Sequence, residues 1–162
     1  MSTTAALLSR LADTLVARGW MLATAESCTG GLIAAACTDL AGSSAWFECG
    51  VVSYSNAAKT ELLGVSLELI GRFGAVSSEV AAAMAEGALA RSAAQIAVAV
   101  TGIAGPGGAV AGKPVGTVWL AVAVQGRPAQ PQLLQLGGDR AAVRAQTVER
   151  AIEALLAAVT AT

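Results

Sequence analysis

Ser27, Cys28 and Thr29 stand in a row inside TAESCTGG (24–31), three side chains capable of nucleophilic attack placed just before two glycines. The chain has no histidine, so the commonest acceptor of a serine proton is missing. A lysine can replace it, because an amine with a lowered pKa serves as a general base. Only Lys59 and Lys113 exist, against eight arginines. Lys59 falls in the first turn of a helix predicted over 56–64, where the macrodipole and burial would both lower its pKa. Tyr54, the only tyrosine, lies five residues earlier, and its hydroxyl could relay or orient a proton. If 26–31 is a strand-to-helix turn, the backbone N–H groups of Thr29, Gly30 and Gly31 could hold an oxyanion. Spacing alone favours a plainer account of these residues, a helix cap with an exposed lysine and a half-buried tyrosine nearby. It also leaves the choice between Ser27 and Cys28 open. Glu26 reads as a further acceptor for Lys59 or as a solvated charge.

Two other constellations carry weight. Gly107, Gly112 and Lys113 match the spacing of a P-loop after a strand, but Pro114 stands where Ser or Thr must hold magnesium. The residues that follow read as a strand, not as the helix a P-loop opens, so nucleotide triphosphate hydrolysis is rejected. Arg140 and Arg144 lie one helical turn apart, on one face, which suits a phosphate or carboxylate. An Asp139–arginine pairing at a helix start explains them as well.

The elements that must position these residues alternate along the chain. Leu7, Leu8, Leu11, Leu15 and Val16 predict a first helix ended by Gly19. Strands are predicted over 20–27, 45–55, 95–100, 115–124 and near 132–136. Helices are predicted over roughly 29–40, over 56–64 with Asn56 as N-cap and Gly64 as terminator, from Ser77 to about Arg91, and over 139–159. The pattern predicts one α/β domain over 1–162, a three-layer sandwich with helices on both faces of a mixed or mostly parallel sheet. Ligands in such sheets sit where strands end, which singles out 26–31, 54–59 and 101–114.

Composition narrows the function. With 55% hydrophobic and 13% charged residues the chain can build a sizeable core, yet no apolar run is long enough to span a bilayer. The N-terminus reads as an amphipathic helix rather than a signal peptide, so a cytoplasmic protein is expected. A net charge of −1 without a basic stripe argues against nucleic acid as a partner. Cys28, Cys37 and Cys49 fit no disulfide framework, and without histidine no metal site is expected.

The blocks AESCTGG (25–31), AGSSAWFECGVVSYSNAAKTELLGV (41–65), GAVSSEVAAAMAEGAL (74–89), TGIAGPGG (101–108), KPVGTVW (113–119) and GDRAAVR (138–144) together resemble the CinA C-terminal domain family, in its stand-alone form. The resemblance covers nearly the whole chain. It implies an amidase that hydrolyses the carboxamide of nicotinamide mononucleotide (NMN), with Ser27 as nucleophile, Lys59 as base and Tyr54 assisting proton transfer. No cofactor is implied. Substrate contacts are expected from Thr101, Gly102, Gly105, Arg140 and Arg144, with the arginines and the 101–105 backbone on the phosphate. A homo-oligomer is expected on general grounds. Two other functions stay open at this point: a non-catalytic competence or DNA-damage module, and a Ser–Lys hydrolase of a different amide.

Overall fold

Alternation within the strands sets the layers. The structure, a computed structural model, describes residues 2–161. In β3 (Ile96–Gly102) and β4 (Thr117–Val124) bulky residues alternate with alanines, so period-two geometry gives the sheet one bulky face and one shallow face. Ile96, Val98 and Val100 with Leu120 and Val122 form the bulky face. It packs on Leu11 and Leu15 of α1 (Thr3–Arg18), Ile33 of α2 (Leu32–Asp39) and Ile152 and Leu155 of α6 (Arg140–Thr160). Ala97, Ala99, Ala121 and Ala123, with Ala23 and Ala25 of β1 (Leu22–Glu26), form the shallow face. Under it lies α5 (Ser78–Ala90), followed outward by α3 (Asn56–Leu63) and α4 (Leu67–Phe73). With β2 (Phe47–Val52) and β5 (Gln130–Gln135), the sheet order is β2-β1-β3-β4-β5. The first three strands are parallel and the last two antiparallel, which is the expected three-layer α/β sandwich with a mixed sheet.

Several boundaries differ from expectation. Ser55, not Asn56, caps α3, its Oγ accepting from the Ala58 N–H at 3.0 Å. Both residue types cap well, so sequence does not separate a one-residue shift. α2 begins at Leu32 instead of 29, because Gly30 (φ 58°) and Gly31 (φ 106°) hold left-handed backbone that a helix cannot use. β2 ends at Val52, short of residue 55. Helix α4, capped by Ser66, has no counterpart among the predicted elements. Its seven residues are too few for a periodicity to stand out. Among the described residues, no helix is long and apolar enough to cross a membrane.

Candidate active site

The parallel strands β2, β1 and β3 end on the same edge of the sheet. From β1 the chain turns to α2 on the bulky face, and from β2 it turns to α3 on the shallow face. This divergence opens a crevice outside the strand ends. A cleft of about 250 Å³ lies there, lined by Ser27, Cys28, Tyr54, Lys59, Arg140 and the glycine-rich segment after β3.

Ser27 is fixed at the end of β1. Its N–H donates to the Val100 carbonyl at 3.1 Å, and the Ser53 N–H donates to the Glu26 carbonyl at 2.8 Å, so pairing on both sides of β1 reaches the strand end that carries Ser27. The Lys59 side chain, only 1% exposed, reaches it from α3. Its Nζ lies 3.0 Å from Ser27 Oγ and donates to the carbonyls of Ser53 (3.0 Å) and Tyr54 (3.1 Å). No carboxylate lies within ion-pair distance of Lys59 among the described residues. Burial therefore pushes its pKa below the ordinary lysine value, and burial is the leading cause.

This geometry has a chemical consequence. A lysine ammonium has three N–H donors, and three acceptors surround Nζ. After one proton is lost, two N–H groups and one lone pair remain. The two backbone carbonyls can only accept, so the lone pair faces Ser27 Oγ, whose hydroxyl can then donate to Nζ at 3.0 Å in preference to the Tyr54 carbonyl at 3.5 Å. The surroundings of the neutral amine point its lone pair at the serine.

Cys28 also lines the cleft, but burial raises its thiol pKa to about 11. It stays protonated at neutral pH, and the thiolate is the reactive form.

The remaining predicted residues divide sharply. Glu26 is neither a partner of Lys59 nor a solvated charge: it is 1% exposed and faces α2. Strand alternation sends it to that side, where its carboxylate accepts from the Thr29 hydroxyl (2.5 Å) and from the Ile33 (2.9 Å) and Ala34 (3.0 Å) N–H groups. It caps a helix whose own N-cap, Gly31, has no side chain to offer. Thr29, Gly30 and Gly31 consequently do not line the cleft. Thr29 is tied to Glu26, and the Gly30 N–H donates back to the Ser27 carbonyl at 3.0 Å.

Arg140 and Arg144 share a helix face but not a role. Arg140 lines the cleft, its Nη1 donating to the Gly105 carbonyl (2.7 Å) and its Nη2 to the Tyr54 hydroxyl (3.4 Å). Arg144 lies outside it and donates to the carbonyls of Cys28 and Thr29, both at 3.2 Å. Tyr54 is 61% exposed; its carbonyl, not its phenol, meets Lys59. Thr101, Gly102 and Gly105 all border the cleft, and the Thr101 hydroxyl donates to the Ala75 carbonyl at 2.9 Å. Lys113 lies away from the cleft and donates to the Phe73 carbonyl (3.0 Å) at the end of α4, as a cation at a helix C-terminus should. Ala75 and Val76 line the cleft from outside the segments singled out by sequence, and Asn56, inside 54–59, was read only as a cap. Small apolar residues and a capping-type asparagine carry no chemical signal of their own.

Against known proteins, a model of the CinA C-terminal domain matches residues 4–159. The chain is 53% identical over 142 residues to the nicotinamide-nucleotide amidohydrolase PncC of Enterobacter agglomerans, spanning 88% of this chain and 87% of that protein. The protein of the same name from Escherichia coli K12 is 48% identical over 149 residues, 92% of this chain and 90% of its own length. A CinA-like protein of Akkermansia muciniphila is 54% identical over 134 residues, 83% of this chain but 32% of its own length. The crystal structure of competence/damage inducible protein CihA from Agrobacterium tumefaciens superposes with a TM-score of 0.94 at 47% identity, covering 97% of this chain and 96% of that one.

Proposed function

The chain belongs to the CinA C-terminal domain family, and on that premise we propose that it is an amidohydrolase converting nicotinamide mononucleotide to nicotinate mononucleotide and ammonia. The observation that carries the chemistry is the 3.0 Å approach of a buried, carboxylate-free lysine to a serine at a strand end. The substrate assignment is supported by two relatives of matching length that carry the amidohydrolase name.

Neutral Lys59 takes the Ser27 proton as Oγ attacks the amide carbon. The oxyanion needs donors that the chain has not already used. Among the described residues the Cys28 N–H bonds to no other residue and faces only its own thiol; it borders the cleft and follows the nucleophile directly, the position from which such donors act. It replaces the Thr29–Gly31 donors expected from sequence, which lie off the cleft. Lys59, now an ammonium, protonates the departing nitrogen, which leaves as ammonia. The ester on Ser27 is then cleaved by water, with Lys59 again as base, and the carboxylate product leaves. Tyr54 holds Lys59 through its carbonyl, while its phenol and Arg140 stand at the cleft mouth. Among the described residues no carboxylate side chain lines the cleft, so Arg140 meets an anionic phosphate without competition from one. The acid product would serve pyridine nucleotide recycling.

Ammonia release from NMN by purified protein tests the reading, and an inert wild type overturns it. Ser27→Ala and Lys59→Met are expected to lower kcat by about a hundred- to ten-thousandfold while folding normally. If both variants retain wild-type rates, the Ser27–Lys59 mechanism fails even where the reaction stands.

A further inference from the structure

Arg144 lies outside the cleft, yet its guanidinium fork is spent on the Cys28–Thr29 and Thr29–Gly30 peptide units, the second and third after the nucleophile. No carboxylate pairs with it among the described residues. We propose that Arg144 is a positioning residue: by gripping the carbonyls of Cys28 and Thr29 it fixes the turn that presents Ser27 and the Cys28 N–H to the substrate. The inference rests on the Ser27 hydrolase reading above.

The argument follows from peptide geometry. A trans peptide holds its C=O and N–H antiparallel, so fixing a carbonyl also fixes the next N–H. Arg144 thereby sets the directions of the Thr29 and Gly30 N–H groups. The Gly30 N–H closes the turn onto the Ser27 carbonyl at 3.0 Å. With that carbonyl engaged, the Cys28 N–H in the same peptide unit is turned away from the turn interior. The turn needs an external restraint because Gly30 and Gly31, both at positive φ, give it the freest backbone available. Glu26 restrains it from the α2 side through Thr29, and Arg144 restrains it from α6. The planar fork serves the two adjacent carbonyls from two separate nitrogens, Nε and Nη2, in a fixed relative geometry, whereas a lysine would have to reach both from one freely rotating ammonium. Residues that hold reacting groups in place act on kcat, and a misplacement near 1 Å costs on the order of a hundredfold.

The test compares Arg144→Gln and Arg144→Lys with wild type by NMN kinetics and by the rate at which a small fluorophosphonate labels Ser27. The expected result is a kcat lowered by about tenfold to a hundredfold with KM nearly unchanged, slower Ser27 labelling in proportion, and partial recovery in Arg144→Lys. Arg140→Ala, by contrast, raises KM. A raised KM with unchanged kcat in the Arg144 variants would make it a substrate contact and overturn the proposal. So would a lower melting temperature with unchanged kcat and labelling, which is a purely structural role. The labelling needs no pyridine nucleotide, so it tests Arg144 even if NMN proves not to be the substrate.

Discussion

In the proposed mechanism, Lys59 is the residue whose environment sets the pH dependence. Burial holds its pKa below the ordinary lysine value of about 10.4, and only the neutral form accepts a proton. Log(kcat/KM) for the amide is therefore expected to rise with unit slope as pH increases, levelling off below that ordinary value. The rise should vanish in Lys59→Met, and a limb that persists there would assign it to another group. Linkage gives a second readout with its own sign. A lysine with a depressed folded-state pKa binds fewer protons folded than unfolded, so stability rises with pH between the two pKa values. Below the folded-state pKa the full cost of burying the ammonium persists. Urea midpoints measured across the alkaline range should climb in wild type more steeply than in Lys59→Met.

At the scale of elements, the placement of Lys59 depends on how closely α3 can approach α5. Gly87 of α5 makes that approach possible: a Cβ there would lie 2.0 Å from the Leu63 carbonyl oxygen at the end of α3. A glycine-to-alanine change inside a helix ordinarily gains about 1 kcal/mol. Here the contact is with backbone, which cannot rotate aside, and overpacking costs about 1–3 kcal/mol or more. Gly87→Ala is expected to be destabilising on balance, by denaturant midpoint, and to lower kcat because α3 must shift with its lysine. An unchanged or raised midpoint would show that α3 docks loosely. The helix caps that frame the site were partly readable: Ser77 and Gly64 cap as their types suggest. The capping of α2 by Glu26 was not, because the acceptor of that cap comes from the preceding strand, seven and eight residues before the N–H groups it serves.

At the scale of the molecule, the two faces of the sheet carry different duties. The bulky face holds most of the large buried side chains, so truncating Leu120 to Ala should cost about 2–5 kcal/mol while leaving KM and kcat of the folded protein near wild type. The shallow face sets the height of α5 and, through it, of α3. Ala99→Leu adds bulk directly beneath α5 and is expected to cost a smaller 1–3 kcal/mol or so but to reduce kcat markedly. Parallel denaturation and kinetic measurements check the contrast; equal effects of the two changes on activity would disprove the division.

Strand alternation, glycine stops and the scarcity of lysine are local signals, and they sufficed for the α/β layering, most element positions and the pairing of Ser27 with Lys59 as candidates. The family resemblance, carried by whole blocks of sequence, favoured Ser27 over Cys28. Tertiary structure decided what spacing leaves open. It sent Glu26 to α2 because a strand alternates its side chains, and it used the Thr29–Gly31 turn to close the loop after Ser27 instead of lining the cleft. It also separated Arg140 from Arg144, although one helical turn puts both on the same face. Where a guanidinium ends depends on which loop packs against each turn of the helix, and that is fixed by contacts across more than a hundred residues of chain, from Cys28 and Thr29 to Arg144.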